Sequence, residues 1–526
     1  MHPGSLALLL HAHLPFVRHP EHEEFHEEDW LFEAIVETYI PLLKIFRKLV
    51  VDKVPFRLTL TMTPTLCAML RDPLLQDRTE RYIARGVELS RLEIERTASE
   101  GHLNELARFY HGRFLEAQSF YLTDIQRDVV AAFAELQRDG VLEIITCAAT
   151  HGFLPLMESY PEAMRAQILI GRDYHRECFG VDPVGIWLPE CGYIPGIDHI
   201  LKEANIRWFV VDAHGLMYGE PRPRFAIFSP YYTVAGPAVF ARDRESSRQV
   251  WSAREGYPGD PAYRDFYRDI GKDLPEEYLH RVYPEVGHRR FTGIKYHRIT
   301  GSEHKDLYHR DWAMGAADSH AGHFVRSRVE QMDHLRSILP IDPIILSPFD
   351  AELFGHWWYE GPEFLDLVLR KAVYDQQAFT LTTPTSYLIN HTTLQIVAPS
   401  PSSWGNKGYW EVWLDQVNSW IYPHLHAAAR RMTESARKYA KTKSKVRERV
   451  LAQMARELLL AQSSDWAFLM KTGTAREYAE KRTKDHIMRF TRLYETLGEK
   501  TPDQSLLAAC ESRDNIFPNI HWRYYA

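Results

Sequence analysis

The chain is poor in the features that mark several large protein classes. Its 526 residues include only five cysteines: Cys67, Cys147, Cys178, Cys191 and Cys510. They are odd in number, scattered and without a CxxC pair. That argues against a disulfide framework or a zinc cluster and for a reducing cytoplasm. Basic charge is in deficit, since 63 Lys and Arg against 70 Asp and Glu leave a net charge of −7. No basic field is available to hold a phosphate backbone, so nucleic acid is not an expected partner. No apolar run approaches the roughly 20 residues that cross a bilayer. The apolar stretch 5–10 has no preceding Lys or Arg, so no leader peptide is expected either. What remains is ordinary globular composition, 45% hydrophobic and 25% charged, with 26 His and 13 Trp. Many Trp in an acidic chain read as a large core, or as a groove that stacks on sugar rings.

Short apolar runs alternate with amphipathic segments over the first two thirds. The strand-like runs are 5–10, 56–62, 142–147, 184–188, 206–211, 238–241 and 343–347. Most are continuously apolar, the pattern of parallel strands covered on both faces. The spacing predicts helices over 31–49, 160–178, 197–205, 324–339 and 363–374. Strand–helix repetition of this kind predicts a parallel α/β barrel of seven strands. Residues 70–135 read as a helical insertion, and 242–320 as long loops on the active face. Residues 1–69 and 136–385 would form the barrel. Residues 386–526, with helices over 409–440, 445–471 and 473–498, would form a C-terminal helical domain contributing to the cleft. The boundary falls near Pro399–Gly405.

In a parallel barrel the loops after the strands gather on one face and carry the chemistry. Here the strand ends are polar: His11 and His13 after the first, His151 after the third, Glu190 after the fourth, Asp212 and His214 after the fifth, Arg242 and Asp243 after the sixth, and Asp350, Glu352 and His356 after the seventh. Glu190 alone could be a turn carboxylate paired with an arginine, and Asp350 alone a helix N-cap. Together, two carboxylates on one face are the minimum apparatus for breaking a glycosidic bond. Glu352 competes with Asp350 for the second role. A different reading takes His11 and His13, with His151, Lys295 and Asp350, as a metal-dependent amidohydrolase site. Against it stand the tryptophans. Trp187, Trp357 and Trp358 adjoin the carboxylate segments, Trp404, Trp410 and Trp413 open the C-terminal part, and Trp466 follows Asp465 on an apolar helix where Glu457 and Asp465 are polar intruders.

Six stretches then resemble glycoside hydrolase family 57, and within it the 1,4-α-glucan branching members. Five are His11-Ala-His13, 142–151 (LEIITCAATH), 185–193 (GIWLPECGY), 347–362 (SPFDAELFGHWWYEGP) and 455–466 (ARELLLAQSSDW). The sixth is 240–260 (FARDRESSRQVWSAREGYPGD), and the terminal 514–525 also matches. The resemblance implies an incomplete (β/α)7 barrel with a small helical insertion and a C-terminal all-helical domain. It implies a retaining mechanism with Glu190 as nucleophile and Asp350 as acid/base, their carboxyls about 5–5.5 Å apart, with Asp350 raised in pKa and Glu190 ionised. It places His11, His13, His151, Trp187, Arg242, Trp404, Trp413, Asp465 and Trp466 along the substrate. Asp243, Trp30 and Trp251 are weaker transfers. A lid over 214–240 would carry Tyr231 or Tyr232. No metal or other cofactor is implied, and the partner is an α-glucan as donor and acceptor. An α-glucan hydrolase, a 4-α-glucanotransferase and a silent glucan-binding homologue are the alternatives.

Overall fold

The structure, a computed structural model, describes residues 3–251, 256–284, 289–499 and 502–526. One sheet carries nine strands: β1 (Gly4–Ala12), β2 (Leu58–Met62), β3 (Leu142–Cys147), β4 (Gly185–Trp187), β5 (Trp208–Val211), β6 (Tyr231–Tyr232), β7 (Ala238–Ala241), β8 (Ile344–Asp350) and β9 (Phe379–Leu381). Their order is β6-β7-β5-β4-β3-β2-β1-β8, with β9 joined to β1. Every ladder is parallel except β6 with β7. Seven of these are the strands legible in the sequence. The additional β6 and β9 span two and three residues, too short to show any periodicity.

The alternation of side chains fixes what points inward. In β1, Leu6, Leu8 and Leu10 pack outward against the helices. Ala7 and Leu9 face the barrel interior, with Ile145, Cys147, Trp187, Trp208, Phe240, Ile344 and Leu346. Two residues further along β1, His11 therefore also points inward. On β8, Ile344 and Leu346 point inward, and the same parity brings Asp350 to the interior, in register with His11.

The barrel is open between β7 and β8, which share no ladder. The backbone bond from Asp243 N to Leu346 O (2.8 Å) crosses the gap near its upper end. Asp243 is buried there, accepting from Ser246 N (2.8 Å), Arg328 Nη1 (3.1 Å) and Gln331 Nε2 (2.9 Å).

Helices run over Asp29–Ala34 and Ile40–Val51, joined by a π-turn at Ile35–Tyr39. Others occupy Pro73–Arg96, Gly101–Ser119, Val129–Arg138 and Pro161–Phe179. Three sequence expectations need correction. The segment 242–320 is not all loop, because Arg244–Trp251 is helical and the helix expected at 324 begins at Arg310. Its buried stripe there is Ala313, Ala317 and Ala321, too weakly apolar to show in a hydrophobic pattern. The helix expected from 409 begins at Ile421, after turns held by the Asn418 side chain bonding Asp415 N and Val412 O. The helix expected over 445–471 breaks into Lys445–Ala461 and Ser464–Thr472. Residues 252–255, within the 240–260 match, lie outside the described residues. Among the described residues no helix is long and apolar enough to cross a membrane.

Replacing Asp243 by Ala removes three acceptor bonds at the seam and leaves buried Arg328 with Glu245 alone. A loss of about 3 kcal/mol is expected, read as a lowered thermal unfolding midpoint. An unchanged midpoint would show that the seam does not depend on this carboxylate.

Candidate active site

Glu190 follows Pro189, in a short 3-10 turn directly after β4. Its backbone is left-handed (φ 61°, ψ 23°), as are those of Cys191 (φ 51°) and His151 (φ 55°). Non-glycine residues adopt that region at a cost of about 1–3 kcal/mol each, and do so where the surroundings impose it. The surroundings here are specific. Trp404 Nε1 donates to Glu190 Oε2 (2.7 Å), and Ser464 Oγ donates to Oε1 (3.0 Å). Trp404 N donates to the Glu190 carbonyl (2.9 Å). The Pro399–Gly405 stretch is thus no free linker. It is laid along the cleft, pairing Ser402 with Tyr193, and the residue before it, Ala398, pairs with Glu220.

Burial pushes the Glu190 carboxyl up to about 7, and the nearby Asp465 charge adds to this, while the Trp404 and Ser464 bonds and His13 pull it down. Full ionisation at neutral pH, the sequence expectation, is therefore replaced by partial ionisation. Asp350 lies well above the usual carboxylate range, because of burial first, then repulsion from Glu352 and Glu190. Glu352 is tied back. Its Oε1 accepts from Tyr39 Oη (2.5 Å) and from His13 N (3.2 Å). Burial lifts it too, to about 7.

Three imidazoles stack beside the carboxyls. His13 and His151 are 3.9 Å apart between ring centroids, and His11 lies on Trp187 at 5.1 Å. His13 Nε2 meets Asp465 Oδ2 (3.0 Å), and its Nδ1 meets Thr63 Oγ1 (3.0 Å). Burial opposes charge on His13, but Asp465, with Glu352 and Glu190, outweighs it and raises the pKa. Burial likewise opposes ionisation of Asp465, and His13 reverses the balance, holding Asp465 down at about 2. Burial drives both His11 and His151 well below 6.5, although His151 Nδ1 lies 3.7 Å from Glu190 Oε1. The shifts favour charge on His13 beside the Asp465 carboxylate and hold His11 and His151 neutral.

The helix break at 462–463 makes this pairing possible. Ser464 N donates to His151 O (3.0 Å), and Ser463 Oγ bonds Asp465 Oδ2 (2.5 Å). An unbroken helix would carry Asp465 onward along its own axis instead of turning it to His13.

The family model described as Glycosyl hydrolase family 57 matches residues 7–399. The chain belongs to glycoside hydrolase family 57. A second model, described as the C-terminal part of 1,4-alpha-glucan branching enzyme, matches residues 424–525. The chain is 35% identical to a 1,4-α-glucan branching enzyme of Thermococcus kodakarensis, covering 98% of this chain and 77% of that one. Its fold is similar to the crystal structure of an α-amylase from Thermotoga maritima, with 44% identity, a TM-score of 0.93 and coverage of 100% and 99%. It is also similar to a GH57-type branching enzyme from Pyrococcus horikoshii, with 37% identity, a TM-score of 0.89 and coverage of 99% and 96%.

Several residues expected along the substrate of this family 57 chain have other positions. Trp187, Trp413 and Trp466 are at most 1% exposed and offer no face to a ligand. Trp187 floors the site beneath His11, Trp413 stacks on Phe153 at 4.3 Å, and Trp466 donates to Leu460 O (2.7 Å). Trp404 is half-buried and holds Glu190. Arg242 is fixed by Asp212 (2.6 Å) with its guanidinium 5.7 Å from the Trp404 ring. Neither lid tyrosine reaches the site. Tyr231 is buried, its hydroxyl accepting from Phe225 N (2.9 Å). Tyr232 pairs with Ala238, at the start of β7. The turn between β6 and β7 thus lies at the opposite end of the barrel from Glu190 and Asp350. Of the 214–240 lid segment, His214 remains at the reactive face, where it bonds Asp212 (3.0 Å) and Gly408 O (2.8 Å).

Lys295, cast in the metal reading, sits apart over Phe266 and Phe291, among Glu33, Glu37 and Asp269. His13, His151 and Asp465 offer atoms close enough for one ion. Each is already bonded, His13 to Asp465 and His151 to Ser464 and His11. Sequence reasoning missed Ser464, Tyr39 and Thr63 as site residues. For Ser464 the signal was present, a serine pair interrupting an apolar helix just before Asp465.

In the Asp465→Asn variant the His13 pKa is expected to fall, because burial is no longer offset. NMR titration of the imidazole signal that disappears in His13→Gln measures this. A His13 pKa that does not move would refute the pairing.

Proposed function

We propose that the chain is a 1,4-α-glucan branching enzyme acting by retaining double displacement, with Glu190 as nucleophile and Asp350 as acid/base. The observation that carries this is an asymmetry between the two acids. Glu190 is held by two donors from the protein. The Asp350 carboxyl has no hydrogen bond or ion pair to any described residue, and lies on the inward face at the end of β8. A nucleophile must be aimed, whereas a general acid must be free to meet the leaving oxygen. Electrostatics runs the same way. Burial and repulsion from Glu352 and Glu190 favour the protonated form of Asp350, while the Trp404 and Ser464 bonds and His13 favour the ionised form of Glu190.

In this reading Asp350 donates to the oxygen of an α-1,4 bond as Glu190 Oε attacks the anomeric carbon. Asp350 then takes the proton of a 6-hydroxyl, which displaces Glu190 and makes an α-1,6 branch. Two inversions retain the configuration. Residues 1–69 and 136–385 would serve as the catalytic barrel, 70–135 as an insertion and 386–526 as a domain completing the cleft, to which Trp404, Ser464 and Asp465 belong. The match of 424–525 to the branching-enzyme C-terminal model supports branching. The five free thiols fit a reducing cytoplasm, and α-glucan storage is the corresponding role. The likeness to the Thermotoga maritima α-amylase favours hydrolysis as the second reading.

Incubation with amylose should produce α-1,6 linkages visible by proton NMR. Reducing ends without branches would establish hydrolysis instead. Glu190→Gln and Asp350→Asn should each lower turnover at least about 10³-fold while glucan binding persists. An active Glu190→Gln would remove the nucleophile from this account. On the acid side, kcat/KM should fall as pH drops below about 7, since protonating Glu190 removes the attacking form.

A further inference from the structure

Ser464 sits between two groups that compete for its single proton. Its hydroxyl lies 3.0 Å from Glu190 Oε1 and 2.8 Å from His151 Nδ1. A hydroxyl has one hydrogen to give and can accept others. An ionised Glu190 can only accept, so the Ser464 hydrogen goes to it. His151 must then donate from Nδ1 to Ser464, which leaves His151 Nε2 bare. That nitrogen faces His11 Nε2 at 3.1 Å, so His11 donates from Nε2. His11 Nδ1 is then bare, and this buried atom has no partner. The whole row points one way, from His11 through His151 and Ser464 to the carboxylate. On the other side Trp404 Nε1 donates to Oε2, and an indole N–H cannot reverse.

We propose that Ser464 is a positioning residue that couples the tautomers of His11 and His151 to the charge on Glu190, so that the row acts as a latch for the anionic nucleophile. This rests on the retaining reading above. A proton placed on Glu190 Oε1 would need an acceptor. Ser464 could accept only by turning its own hydrogen to His151, which would force His151 and then His11 to exchange tautomers. Their burial keeps both neutral, so the reversal has no charged shortcut. The other groups facing Glu190 do not replace this contact. They are His13, Asp465, Asp350 and the buried thiols Cys147 and Cys191. Arg242 acts from over the Trp404 ring and is held by Asp212. Apart from His13 and Arg242, these are anionic or neutral. His13 is engaged by Asp465.

The test is the pH profile of glucan chain cleavage, scored whether or not branches form. In Ser464→Ala the acid limb of kcat/KM should move up by about one pH unit. Turnover should drop about 5-fold at pH 7 and recover towards the unsubstituted level above pH 8. KM should change by less than about 2-fold. Ser464→Thr, which keeps the hydroxyl, should restore both. An acid limb that stays in place, or a loss equal at every pH, would overturn the proposal. So would a folded Thr variant no better than Ala. If Ser464→Ala does not fold, nitrogen-15 NMR of the unsubstituted chain decides. His151 with bare Nε2 and His11 with bare Nδ1 support the latch, and the opposite tautomers refute it. If Glu190→Gln is inactive and Ser464→Ala keeps the original acid limb, only the latch fails. If Glu190→Gln is active, the retaining reading itself fails.

Discussion

A carboxylate removed from water must be given donors, and Glu190 has two. Burial alone would leave it protonated and useless as a nucleophile. The indole of Trp404 and the hydroxyl of Ser464 oppose that burial. Both come from the chain beyond residue 398, some two hundred residues or more after Glu190. The barrel supplies the carboxylate, and the later segment supplies the means to keep it charged. Neither part is a site by itself.

That dependence explains features which otherwise look like irregularities. The left-handed backbone at Glu190, Cys191 and His151 is strain concentrated where the two parts meet. The π-turn at Ile35–Tyr39 ends on the tyrosine that ties back Glu352. The helix break at 462–463 turns Ser464 and Asp465 to the imidazoles. Each departs from regular structure and each sets the position of a polar group. His13 and Asp465 also balance each other's charge, so the cleft does not accumulate three buried negative groups without a counterion.

The parallel strands were legible because burial on both faces writes an uninterrupted apolar run, as in LALLL of β1. Glu190, Asp350 and the histidines were legible because barrel strands end at the reactive face, which makes a polar residue after such a run conspicuous. The alanine stripe of Arg310–Ile338 was not, since methyl groups carry too little hydrophobic contrast. Nor was the fate of the tryptophans. A sequence records that an indole is present, and only packing decides whether it floors the site, as Trp187 does, or grips a carboxylate, as Trp404 does. The hairpin at Tyr231–Tyr232 misled for a related reason. Proline and glycine mark a turn but do not say at which end of the barrel it lies.

In the mechanism proposed, hydrolysis and branching share every step up to the sugar ester on Glu190. They part when water or a sugar hydroxyl reaches Asp350. The hairpin cannot decide between them, because it lies at the far end of β7. The deciding groups must be on the face where β8 ends, and there the exposed surface is aromatic. Trp357 is 52% exposed, with its ring against Phe266 at 4.5 Å and its backbone bonded to Glu352 O. Tyr409 is also exposed, on the segment that carries Trp404. Such a face gains nothing from water and gains dispersion and apolar burial from a pyranose ring. Under the mechanism proposed, a rim of this kind would lower the free energy of a bound sugar acceptor without altering the attack by Glu190. That separates the choice of acceptor from the chemistry of cleavage, and it allows chains with one catalytic pair to differ in product.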